Sequence, residues 1–204
     1  MKIPKLIKPF VDTFSKFPGV GPRQAIRLAF YMIGQGANFQ EEVIRALDSL
    51  KEVKICKQCF YIHENESGLC EFCEDEHRDH GIIAVVEKET DVLSIENTGK
   101  FNGRYLVIGS VRKTGILGTD QKLRLQSLKK WIEKEYPLAN GGKAEEISMA
   151  INPATEGDII AGFIMEDLRP FAKSVSRLGR GIPTGGEIEF ADEDTLGNAI
   201  TGRN

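Results

Sequence analysis

The sequence predicts a multi-domain α/β protein: a helical amino-terminal module, a four-cysteine zinc finger, and a mainly parallel sheet covered by helices, with a glycine-rich tail. Three observations carry this. Apolar residues recur at helical spacing through residues 6–53. All four cysteines lie between Cys56 and Cys73. From Ile82 onward, short β-branched runs alternate with amphipathic stretches, the pattern of parallel strands joined by crossover helices. The implied boundaries are residues 1–54, 55–76, 80–173 and 174–204.

A chain of 204 residues is long enough for more than one core. No apolar run approaches the roughly 20 residues of a membrane span, and no apolar stretch follows the basic start from Met1 to Lys8, so a cytoplasmic protein with no membrane partner is expected. The net charge of −3 excludes a uniformly basic nucleic-acid binder. The charge is uneven, however: residues 1–60 carry ten Lys/Arg against five Asp/Glu, and the remainder seventeen against twenty-five. This division suits an anionic partner at one end and a cationic one at the other.

Leu6, Ile7, Phe10, Val11 and Phe14 form the stripe of a first helix, which Phe17-Pro18-Gly19-Val20-Gly21-Pro22 interrupts. A second helix follows, with Ala25, Ile26, Ala29, Phe30 and Ile33 on one face and Pro22 at its first position. Gly34 and Gly36 are expected to close it, and Asn38 with Glu41 to start a third helix carrying Val43, Ile44, Leu47 and Leu50. Helix, glycine hairpin and helix form a helix-hairpin-helix pattern. Gly19 and Gly21 let backbone approach a phosphate, and Arg23 and Arg27, one turn apart, are placed to straddle a DNA backbone. The bland alternative is a plain turn with two solvated arginines.

Cys56-Lys57-Gln58-Cys59 and Cys70-Glu71-Phe72-Cys73 enclose a ten-residue loop. Two facing C-x-x-C knuckles suit tetrahedral Zn²⁺. Disulfides need an oxidising compartment, and redox C-x-x-C pairs usually come singly. With four sulfurs no ligand position is left for water, so the expected Zn²⁺ is structural and completes the core of the helical module. His63, His77 and His80 are expected at the surface, the last two in a solvated connector over residues 74–80.

Strands are expected at Ile82–Val86, Tyr105–Ile108, Ile147–Ile151 and Ser174–Leu178, with helices near 91–97, 121–135 and 156–168 and a turn at Gly141-Gly142. Ligands of such sheets gather at the strands' carboxyl ends. Those ends carry Glu87 with Asp91, and Asn152-Pro153-Ala154-Thr155-Glu156-Gly157. This resembles a Toprim domain, whose enzymes hold Mg²⁺ with a Glu and an Asp-x-Asp pair. Here that pair reads Asn152-Pro153-Ala154, which removes two carboxylates and argues against Mg²⁺-dependent strand chemistry. Lys113-Thr114 lacks the glycine of a phosphate-binding loop. In the tail, Glu187–Phe190 reads as a short strand before the acidic Asp192-Glu193-Asp194. Its low apolar content suggests packing on something else, with a neighbouring subunit as one candidate.

The order of parts resembles the RecR family of bacterial recombination mediators over nearly the whole chain. The matching stretches are Phe17–Pro22, the four cysteines, Val85-Val86-Glu87 with Asp91, Asn152-Pro153 with Thr155-Glu156-Gly157, and Arg180-Gly181-Ile182-Pro183 through Thr195-Leu196 in a Walker-B-like tail. The resemblance implies a non-enzymatic DNA-repair protein forming a ring-like homotetramer around single- or double-stranded DNA, without sequence preference. It implies action with RecO and RecF to load RecA onto gaps coated by single-strand-binding protein. Arg23 and Arg27 would contact DNA, and Glu87, Asp91 and Glu156 would face RecO. The rival reading is a Mg²⁺-dependent Toprim nuclease or primase. The chain departs from the family at Arg112–Thr119, where the usual prolines are absent and two basic residues are present.

Overall fold

Proline and glycine punctuation at residues 17–22 and the four-cysteine segment mark where local structure changes. The structure, a computed structural model, describes residues 3–111, 115–136 and 142–202. Arg112, Lys113 and Thr114 of the divergent loop, and Gly141 of the expected turn, lie outside the described residues. The chain divides into two units, Met1–Val53 and Lys54–Asn204.

In the first unit a 3₁₀ turn, Lys5–Ile7, leads into α1 (Lys8–Phe14), followed by α2 (Pro22–Gln35), α3 (Ala37–Ser49) and a second 3₁₀ turn, Leu50–Glu52. Pro22 stands at the start of α2, where its missing N–H breaks no helical bond. The helix runs through Gly34 and stops at Gly36, whose φ of 85° suits glycine. Gly36 also begins α3, so Asn38 falls inside the helix and the expected Asn38–Glu41 cap does not form. The core is Ile7 and Val11 against Ala25 and Ala29, flanked by Phe10, Phe14, Val20 and Ile26. Two alanines on α2 let α1 approach closely. Phe30 and Ile33 are left about half exposed, and α3 buries no residue. Val43, Ile44 and Leu47 instead line an open apolar groove of about 350 Å³ with Leu6, Phe10 and Met32.

The second unit begins with a two-stranded ribbon, β1 (Lys54–Ile55) and β2 (Ile62–His63), and a short helix α4 (Glu71–Glu74). Then come β3 (Asp79–Val86), α5 (Glu89–Glu96), β4 (Gly103–Val107), α6 (Thr119–Glu135), β5 (Ala144–Ala150), α7 (Thr155–Leu168), β6 (Ala172–Arg177) and α8 (Glu193–Thr201). The sheet order is β4-β3-β5-β6, and every pairing is parallel. Alternation along β3 sends Ile83 and Val85 to one face, where they pack with Leu125, Leu128, Ile160 and Ile164 of α6 and α7. Ala84 and Val86 point to the other face, which Val92 of α5 and the four cysteines cover. Burial on both faces explains the unbroken apolar run in β3. The cysteines therefore belong to the core of the second unit; the helical module has a core of its own, and the metal does not complete it.

Three further expectations differ. His63 is buried, because alternation along the ribbon turns Tyr61 and His63 inward while Ile62 faces out. The connector ends earlier than expected, since Asp79 and His80 already belong to β3. Residues 188–190 form a 3₁₀ turn instead of a strand. The Asp192 carboxylate then accepts from Thr195 N–H at 2.8 Å, so the acidic cluster serves as the N-cap of α8.

Candidate metal centre and the carboxyl end of the sheet

The two C-x-x-C turns are built by backbone bonds that aim sulfurs at one point. Phe60 N–H donates to Cys56 O at 3.1 Å, and Cys73 and Glu74 N–H donate to Cys70 O at 3.0 Å, with Cys70 capping α4. Cys56 N–H to Tyr61 O (2.7 Å) and Lys57 N–H to Gly68 O (3.1 Å) close the loop. All four thiols are buried, and their sulfurs lie within 4.8 Å of one another. A tetrahedral ion with Zn–S bonds of ~2.3 Å needs sulfurs about 3.8 Å apart, so this set fits. Contacts with Cys56, then with Cys70 and Cys73, and then burial push the Cys59 thiol far above its ordinary range. Cys56 moves the other way, because Cys59, Cys70 and Cys73 donate to it. Alone, the cluster favours the thiolates of Cys56 and Cys70 and holds Cys59 and Cys73 as thiols; a dication offsets the penalty on the second pair. Tyr61 N–H also points at Cys59 Sγ, at 3.5 Å.

The knuckles are fastened to the sheet's β4 edge. Val107 N–H donates to Cys59 O at 2.8 Å. Phe72 meets Tyr105 edge-on at 5.4 Å, and the Arg78 guanidinium lies 4.7 Å over the Phe72 ring. Arg78 also forms a two-pronged pair with Glu96 (2.9 and 2.6 Å) and donates to Gly103 O at 2.8 Å. Burial works against ionisation of Glu96, yet Arg78 and the Tyr105 hydroxyl hold its carboxyl below the ordinary range.

At the carboxyl end, Glu87 is only 6% exposed. Its Oε1 accepts from Asn152 N–H at 2.9 Å and its Oε2 from Val111 N–H at 3.3 Å. The carboxylate thus clamps the ends of β5 and β4 around β3. Asp91, half-buried, accepts from Lys88 N–H at 2.9 Å and caps α5. Glu156 lies half-buried in the first turn of α7. A Cβ at the next residue, Gly157, would run into the Asn152 carbonyl oxygen, which accounts for the glycine. Asp91 and Asn152 line one cavity, of about 380 Å³, together with Ser94, Arg177 and Arg180. Among the described residues, the four cysteines are the only group of three or more His, Cys, Asp or Glu placed to share an ion.

Sequence reasoning gave Arg177 and Asp158 no role. Asp158 is paired with Arg180, which also reaches it at 3.1 Å through its second nitrogen, and with Arg177 at 2.6 Å. Arg180 first, and Arg177 after it, lower its carboxyl from the ordinary 3.8 to about 2 against the opposing effect of burial. A carboxylate depressed in the folded state contributes stability that is fully present above about pH 4 and lost as pH falls through about 2. The protection of the Leu178–Gly181 amides, relative to their intrinsic exchange rates, should therefore fall between pH 4 and pH 2, and Asp158→Asn should abolish that change in protection.

In the helical unit, Gly19 has φ 76°, and Gly21 precedes α2 with no side-chain cap. The first-turn amides of Arg23 and Gln24 are thus left without a protein acceptor from a cap. Arg23 and Arg27 are exposed and make no ion pair among the described residues. No helix among the described residues is long and apolar enough to cross a membrane.

Family models match at residues 81–179, described as a Toprim domain, and at 181–204, described as RecR, C-terminal. A protein named "Recombination protein RecR" from Paenarthrobacter aurescens (strain TC1) is 37% identical over 199 residues, 97% of this chain and 95% of the relative. Its namesake from Frankia alni is 36% identical over 200 residues, covering 97% and 96%. This chain belongs to the RecR family. Membership ties the Toprim-like sheet, the cysteine cluster and the tail to recombinational repair. Within this RecR chain the four cysteines converge on one point, Arg23 and Arg27 share an exposed helix start, and Asp91 and Asn152 share a cavity that Glu87 helps to shape.

Proposed function

We infer that this chain is a non-enzymatic DNA clamp of recombinational repair. It binds single- and double-stranded DNA through the helix-hairpin-helix and, with RecO and RecF, helps load RecA onto gaps coated by single-strand-binding protein in the cytoplasm. One observation carries the DNA reading: two unpaired arginines one turn apart at the uncapped start of α2, beside Gly19 and Gly21. Free amides and guanidinium groups recognise phosphate without reading bases. The exposed apolar side chains of α2 and α3 support self-association into a ring-like homotetramer.

Zn²⁺ held by Cys56, Cys59, Cys70 and Cys73 has a structural role: it supplies folding energy and no open ligand position. Asp91 and Glu156, accessible and acidic, receive a basic surface of RecO, and Glu87 sets the loops around them. The non-enzymatic reading rests on Asn152-Pro153-Ala154 standing where carboxylates would bind Mg²⁺, and on Glu87 being fully engaged with backbone.

The deciding test is the double variant Arg23→Ala, Arg27→Ala. Its affinity for single-stranded DNA in low salt should fall at least about tenfold. The slope of log affinity against log salt should flatten by roughly 1.4 for single strands and 1.8 for duplex. Unchanged affinity and slope would remove the helix-hairpin-helix from the DNA surface.

A further inference from the structure

Phe60 has φ 63° and is the only non-glycine residue with positive φ among the described residues. A bulky side chain there is strained, where glycine would sit freely. The ring reaches both cores, packing against the α6–α7 face and the cysteine face, and so wraps around the β4 edge. The Arg124 guanidinium lies 4.9 Å over it and donates to Val107 O at 2.8 Å. One turn earlier on α6, Gln121 donates to Gly109 O (3.1 Å) and Ser110 O (3.3 Å). Next in sequence, Val111 donates to Glu87. From Val107 to Val111 the backbone is thus held in turn by the cysteine knuckle, by α6 and by the Glu87 clamp.

We propose that Phe60 is a positioning residue that ties the metal knuckle to α6 and, through Arg124 and Gln121, fixes the loop leaving β4 where Glu87 needs it. The metal centre thereby sets the geometry of the partner-facing carboxyl end as well as its own knuckle. This rests on the metal and partner readings above, so its test depends on no partner. In metal-loaded protein, amide exchange would be followed at Val107, Ile108 and Val111, with Ile147 and Val175 as far-sheet references, in wild type, Phe60→Gly, Phe60→Leu and Arg124→Leu. Phe60→Gly removes the ring and the backbone strain together, so a purely structural role ties exchange to stability, whereas positioning separates them. Exchange at Val111 is expected to rise at least tenfold in all three variants, with metal content retained and the Ile147 and Val175 rates within twofold of wild type. Unchanged Val111 exchange in the Phe60 and Arg124 variants would overturn the proposal, as would an equal rise at the reference amides. Raised Val111 exchange with unaltered RecO affinity would uphold it and count against the partner reading alone.

Discussion

Cys70→Ser should abolish the cooperative thermal transition of the α/β unit. Serine caps a helix well, so the start of α4 at residue 70 survives the change. What is lost is a sulfur ligand. Metal binding in small zinc modules is worth about 10–16 kcal/mol, comparable with the total of about 5–15 kcal/mol that stabilises a typical domain. The cysteines here sit in the same core as Ala84, Val86 and Tyr105, so losing the ion removes the cover from one face of the sheet. Val107 N–H loses its acceptor on Cys59 at the same time. Metal analysis should find one ion per chain in wild type and less in the variant, and chelation of wild type should reproduce the variant's melting curve. A metal-free variant that melts like wild type would show that side-chain packing alone holds the knuckle.

The parallel sheet was legible mainly from β3 and β4, whose apolar runs stay unbroken because they are buried; β5 and β6 carry one β-branched residue each, and β6, only partly buried at the sheet edge, gave the weaker signal. The cysteine cluster was legible from spacing alone. Where the cysteines pack was not, since spacing fixes a local ligand set and says nothing of which surface it covers. The ribbon strands β1 and β2, two residues each, are too short to display alternation, and so the inward turn of His63 went unread. Asn38 has the chemistry of a cap, but Gly36 had already begun the helix. Glu87 could be placed at a strand end, yet its burial depends on Asn152 and Val111, distant in sequence and brought beside it only by the sheet. The same holds for Asp158 with Arg177 and Arg180.

Glu87 and Asp91 should respond differently to substitution although only four positions separate them. Glu87→Ala strips the acceptors from two amides, Asn152 and Val111, and each hydrogen bond to a charged group contributes about 1.5–3 kcal/mol. For a unit of this size, each kcal/mol corresponds to roughly 2–4 °C in Tm, so a fall of roughly 6–24 °C is expected. Glu87→Gln keeps one acceptor oxygen and turns a donor toward the other amide, so its melting point should fall in between. Asp91→Asn keeps an oxygen for Lys88 N–H and should move Tm by no more than about 1–2 °C. If the carboxyl end recruits a basic partner, Asp91→Asn should weaken RecO binding and flatten its dependence on salt, without a matching change in Tm. Any binding loss in Glu87→Ala should instead follow the melting change, because its carboxylate acts through the β4 and β5 ends. Partner binding that fell in Glu87→Ala at unchanged Tm would show this carboxylate to be a direct contact, exposed by a rearrangement when RecO docks.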